Sequence, residues 1–314
     1  MLAARIRSNI VEATHEGALA VVTADGELIA HDGDIERPFF LRSAEKPFQA
    51  VIAQTEGAAL RPVELALAAA SHDGEPVHVA IVESMLGEVG LDASRLRCPP
   101  SWPLSSEATR RLQNDGARGP RSVLSNCSGK HAAWLRSCLA RGWPLDSYLS
   151  PEHPLQTRIT SFVAELAGEA TQMGIDGCGA PVLATTTRVM AHLYALLASS
   201  PELSEVRTVM HRYPALISGA NNGEAVIASS LDAVAKRGAA GCLGVALESG
   251  IGLAVKAWDG SQEAAVVAMV AALTSLGRVP ATATMALESY AVPPVFGGGE
   301  VVGRVEPRID LNWS

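Results

Sequence analysis

Gly241-Cys242-Leu243-Gly244-Val245-Ala246-Leu247-Glu248-Ser249-Gly250-Ile251-Gly252-Leu253-Ala254-Val255-Lys256-Ala257 reads as two strands, Gly241 to Leu247 and Gly252 to Ala257, around a Glu-Ser-Gly turn. A matching pattern stands near the other end of the chain, where strand-like Gly17 to Thr23 and Glu27 to Ala30 flank Asp25-Gly26, a strong hairpin signal. Between them the period is helical: Ser43 to Glu56, Arg61 to Ser71, Glu75 to Glu88 and Gly129 to Arg141, then patterns near 155–167, 183–198, 201–213 and 224–236. Ser261 to Leu276 is an apolar helix, and a Gly-rich tail follows. Strands at both ends with helices between them predict an α+β fold: one antiparallel sheet built from N- and C-terminal strands, with flanking helices and a mostly helical insertion. Without a low-complexity linker or repeat, residues 1–314 read as a single domain, with a helical subdomain loosely at 70–230.

Composition narrows the function. Of 314 residues, 48% are hydrophobic and 18% charged, enough apolar chain for a sizeable core. The net charge of −8, with no basic stripe, argues against nucleic acid as a partner. The longest uncharged apolar stretch, Ala264 to Gly277, falls short of the roughly 20 residues of a membrane span. Met1 to Gly17 carries no signal-peptide core, and the odd set of widely spaced cysteines suits free thiols or metal ligands in a reducing compartment. A cytoplasmic protein is expected.

Of the 25 basic side chains only Lys46, Lys130, Lys236 and Lys256 are lysines. Where arginine is used almost everywhere else, lysine marks places that need a base able to lose its proton, or a neutral amine able to bind metal. In Arg42-Ser43-Ala44-Glu45-Lys46-Pro47, a helix opened by Ser43 puts Lys46 one turn along the same face, in reach of the hydroxyl it could activate. The same spacing suits an N-cap serine with a solvated lysine. Asn126-Cys127-Ser128-Gly129-Lys130-His131 and Asp176-Gly177-Cys178 offer two thiols and an amine, three positions of a zinc site, though buried cysteines also serve as small hydrophobes. Ser71 and His72 in Ala70-Ser71-His72-Asp73 could close a helix end that faces the site; as sequence neighbours they cannot form a triad with Asp73. Lys236 reads as sitting at a helix end and Lys256 in the last hairpin.

Together these motifs resemble the asparaginase II family, the thermolabile Rhizobium-type L-asparaginases. Arg42 to Pro47, Ala70 to His72, Asn126 to His131, Asp176 to Cys178, Lys236 to Ala239 and Val255 to Gly260 follow that family's order at similar spacings. The resemblance implies a serine β-lactamase-like and glutaminase-like catalytic domain that hydrolyses L-asparagine to L-aspartate and ammonia. It implies two Ser–Lys pairs, Ser43 with Lys46 and Ser71 with Lys236, and substrate contacts from Arg42, His72 and Asp176. It further implies a zinc on Cys127, Lys130 and Cys178, structural or substrate-orienting, no organic cofactor, and a homodimer. Two segments depart from the family: Ser218 to Glu224 lacks a Gly-Arg element, and Cys98 to Trp102 replaces Cys-Gly-x-His. Glutamine, a β-aspartyl amide or a lactam as substrate, or a zinc-stapled amino-acid binder without turnover, are the alternatives.

Overall fold

The computed structural model describes residues 1–168 and 172–314 and divides into two compact units. The first comprises Met1–Ala44, Ala184–Ser204 and Asn221–Ser314, and the second Glu45–Leu183 and Glu205–Ala220.

The first unit is built on a six-stranded antiparallel sheet in the order Asn312–Trp313, Leu28–Asp32, Gly17–Thr23, Ile251–Ala257, Cys242–Leu247, Ala233–Gly238. Strand side chains alternate between faces. Leu19, Val21, Leu243, Val245, Leu253 and Val255 share one core with Val266, Met269 and Leu273 of the helix Gln262–Ser275. The intervening positions are small, and this lets the helix Thr187–Ser199 pack close on the other face. A Cβ at Gly252 would lie 2.0 Å from Ala191 O, so no other residue fits there without moving backbone. A separate four-stranded sheet holds Pro294–Gly297, Glu300–Pro307, Ala3–Arg7 and Ile10–His15.

The second unit is mostly helical. Its central helix, Ser128–Arg141, buries Trp134, Leu135 and Cys138 and packs on Lys46–Ala53, Pro62–Ala68 and Pro76–Gly87. Gly129 makes the closest approach possible, because a Cβ there would meet Leu67 O at 2.5 Å.

The α+β architecture and the terminal hairpins agree with the sequence reading, and four local expectations do not. The 224–236 helix stops at Leu231; Asp232 takes a left-handed turn (φ 52°) and the chain continues as the strand Ala233–Gly238, so Lys236 lies mid-strand. Residues 183–185 belong to the strand Pro181–Thr185, and the helix begins only after Thr186 caps it. The tail carries a helix, Ala281–Ala291, and the strands Pro294–Gly297 and Glu300–Pro307 of the four-stranded sheet; three sheets stand where one was expected. Ser43 also sits in a 3-10 turn, Arg42–Glu45, ahead of the helix that Lys46 opens. Among the described residues, no helix is long and apolar enough to cross a membrane.

Candidate active site

Lys46 is fully buried at the start of its helix. Its Nζ lies 2.7 Å from Ala70 O, 3.1 Å from Asn126 O and 3.0 Å from Ser71 Oγ. The two carbonyls come from the ends of different segments, the loop after Pro62–Ala68 and the loop before Ser128–Arg141. A neutral amine has two N–H donors and one lone pair. In the neutral form, with both N–H groups given to the carbonyls, the lone pair would be left for the serine hydroxyl. Burial lowers the Lys46 pKa below the ordinary lysine value, against the opposing charge of Cys127, and so favours the neutral form. Ser71 is held from its backbone, whose N–H donates to Ile217 O at 2.8 Å. This Lys46–Ser71 contact joins residues that the sequence reading assigned to different pairs.

His72, next in sequence, is fully engaged. Gly74 N donates to its Nδ1 at 3.2 Å, which leaves the proton on Nε2 to be donated to Ser128 Oγ at 2.9 Å; Ser128 Oγ in turn donates to Val123 O. Burial pushes the imidazole well below its ordinary pKa, so it stays neutral. In this geometry His72 positions the Ser71 loop rather than presenting a free nitrogen.

Cys127, Lys130 and Cys178 come together as the sequence reading grouped them. Cys127 ends the Asn126 loop, Lys130 lies in the first turn of the next helix, and Cys178 rides a tight turn closed by Asp176 N to Ala180 O (2.8 Å) and Gly179 N to Asp176 O (2.9 Å). The hydrogen bond between the two sulfurs holds the Cys127 proton and pulls Cys178 toward the thiolate, helped by Lys130. Burial disfavours the Lys130 ammonium, but Cys178, Cys127 and Asp176 outweigh it and raise its pKa. Lys130 also donates to Gln49 Oε1 at 3.3 Å. Among the described residues no group of three His, Cys, Asp or Glu side chains could hold a metal ion, so a metal here needs the amine as third donor. Two hydrogen-bonded sulfurs, one of them also hydrogen-bonded to an amine, have the chemistry of a zinc donor set.

Glu45 and Gln49 were not singled out from sequence. Glu45 is fully buried, with Oε2 accepting from Leu183 N at 3.2 Å and Oε1 without a hydrogen-bond partner among the described residues. Burial raises its carboxyl to about 7. The signal available was a carboxylate and an amide four residues apart, Glu45 just ahead of and Gln49 within a helix whose residues are all buried.

Ser43, Arg42 and Lys236 belong to the first unit. Arg42 holds φ at 53°, a left-handed conformation costly for a side chain with a Cβ and a mark of functional turns. Tyr194 OH donates to Ala44 O at 2.9 Å and braces the turn. A Cβ at Gly238 would meet Leu41 O at 2.7 Å, so glycine lets the Ser43 turn lie against the strand that carries Lys236. Lys236 is fully buried, and its Nζ donates to Arg237 O at 2.7 Å. Lys256 is buried too, donating to Ala240 O over the ring of Trp258.

The family model of L-asparaginase II matches residues 3–307. No curated protein matches the sequence. Among solved structures, a Bacillus glutaminase in 4.3 M NaCl is similar at 15% identity and a TM-score of 0.48, covering 84% of this chain and 92% of that one. Mglu in its native form, also in 4.3 M NaCl, is similar at 16% identity and a TM-score of 0.47, with 86% of this chain covered. The match takes in 62% of the Mglu chain. A probable glutaminase, ybaS, is similar at 17% identity and a TM-score of 0.44, covering 84% and 86%.

Proposed function

Because the chain belongs to the L-asparaginase II family and is an amidohydrolase, we propose that it hydrolyses L-asparagine to L-aspartate and ammonia, with Ser71 as nucleophile and Lys46 as its base. The observation that supports this reading is the buried Lys46 amine, held by two carbonyls with Ser71 Oγ 3.0 Å away. An amide is a weak electrophile, and a serine hydroxyl is a weak nucleophile until a neighbouring base removes its proton. Neutral Lys46 accepts the Ser71 proton as Oγ bonds to the side-chain amide carbon. The C–N bond then breaks, and the amide nitrogen leaves as ammonia with the proton that Lys46 took. Water cleaves the resulting aspartyl ester and regenerates Ser71. Ser43 and Lys236 supply a second hydroxyl and amine by the family resemblance, Arg42 and Asp176 recognise the charged ends of the substrate, and His72 keeps the Ser71 loop in place.

Zinc is part of this proposal: Cys127, Lys130 and Cys178 would hold it. When bound there, it would cross-link the two loops and polarise a polar group set against it. The five cysteines are free and buried, which suits a reducing cytoplasm.

The test is ammonia release from L-asparagine, L-glutamine and a chromogenic lactam by the purified protein. The reading expects asparagine to give the highest kcat/KM. Faster release from glutamine would move the substrate assignment, and release from none would remove the activity.

A further inference from the structure

An amine on the flexible four-carbon stem of a lysine has many rotamers open to it. Two neighbours narrow the choice for Lys130. Its Nζ donates to Gln49 Oε1 at 3.3 Å and stands 4.6 Å from the ring centroid of Trp134, one turn along the same helix. Lys130 is 3% exposed, Gln49 2% and Trp134 0%. In the helix Lys46–Ala53, Gln49 is the one polar residue besides Lys46. A buried amide without hydrogen bonds is costly, so its place in a core helix calls for partners. Lysine nitrogen donates and a carboxylate accepts. With Lys130 on the amide oxygen, the NH2 end is left to act on Glu45, one turn earlier, whose charged form Gln49 favours. The two neighbours fix which way the amide points.

A neutral lysine amine has two N–H donors and one lone pair, and only the lone pair can bind a metal. A hydrogen bond that holds one N–H restricts where the lone pair points, as the partner of a metal-bound imidazole does for its ring. We propose that Gln49 is the positioning residue of Lys130, holding one N–H of the amine so that the lone pair is turned to a zinc shared with Cys127 and Cys178. Being uncharged, the amide favours the ammonium far less than a carboxylate in its place would. One helix therefore carries the base Lys46 and braces the metal-binding lysine of its neighbour. This inference rests on the zinc reading above and adds a residue to it.

The measurement is the zinc affinity of the full, metal-stripped chain, read by competition with a chromogenic chelator, and it needs no turnover. Gln49→Met keeps the length of the side chain and removes the acceptor. Zinc should then bind at least about tenfold more weakly, the lower end for losing the partner of a metal ligand. In a Lys130→Met background the same substitution should change zinc affinity by less than about threefold, because no amine is left to position. Gln49→Ala repeats both steps if Gln49→Met misfolds. Unchanged zinc affinity in Gln49→Met overturns the proposal. So does an equal loss in both backgrounds, which would make Gln49 a packing residue only. Zinc affinity untouched by Lys130→Met alone, or no zinc uptake by the unaltered chain, would remove the zinc reading itself and this inference with it.

Discussion

Lys46 and Lys130 stand on two packed helices of the second unit, 0% and 3% exposed, and burial penalises the charge of both. Their partners send them in opposite directions. Around Lys46, which reaches two backbone carbonyls and a hydroxyl, desolvation outweighs the opposing pull of Cys127 and Cys178, and its pKa falls. Around Lys130 the combined pull of Cys178, Cys127 and Asp176 overrides desolvation. The same two cysteines act on both lysines, so the balance of desolvation against nearby negative charge, which includes Asp176 only for Lys130, sends one toward the neutral amine and the other toward the ammonium.

The contrast between the two lysines breaks most sharply at Lys46. Lys46→Arg preserves charge but cannot present a lone pair, so kcat should fall by about a hundredfold or more, the range for losing a positioned base. Ammonia release by a folded Lys46→Arg protein is the check. Half of the original activity would make Lys46 an electrostatic partner only.

Glu45, which feels the charge of Lys130, provides a stability test. Its folded-state carboxyl is raised from 4.5 to about 7 by burial, so its contribution is fully present below pH 4.5 and is lost as pH rises through 7. The loss is on the order of 3 kcal/mol, because each tenfold difference in proton affinity between folded and unfolded chain corresponds to about 1.4 kcal/mol. Urea unfolding at pH 5 and pH 8 should show Glu45→Gln gaining on the unaltered protein by that order at the higher pH. Parallel pH dependences would mean that Glu45 ionises freely.

The smallest effect on turnover belongs to the Lys130 side. Stripping zinc, or Cys127→Ser/Cys178→Ser, should raise KM and lower Tm while kcat at saturating asparagine stays within about tenfold. Lys130→Arg, unable to ligate, should behave the same way. A thousandfold loss of kcat, restored by zinc, would instead fit metal-generated hydroxide.

Much of the fold was legible because its strands alternate and end in Asp-Gly or Ser-Gly turns, and because the helix Ser128–Arg141 ends at Gly142 in the left-handed region. The strand Ala233–Gly238 was not, since Asp232 ends the helix without glycine or proline and the alanine-rich run continues in either conformation. The grouping of Cys127, Lys130 and Cys178 was an expectation of the family resemblance, and the structure brings Cys178 to both Cys127 and Lys130. The partnership of Lys46 with Ser71 was hidden. It is made by Ala70 O and Asn126 O, backbone atoms that no residue type announces, from loops 24 and 80 positions away.

That partnership is tested most directly by acid-quenching the enzyme during turnover of L-asparagine and locating the ester by peptide mass mapping. The account predicts an aspartyl ester on the peptide that carries Ser71, absent from Lys46→Arg. An ester on the Ser43 peptide, or undiminished ammonia release by Ser71→Ala, would contradict it.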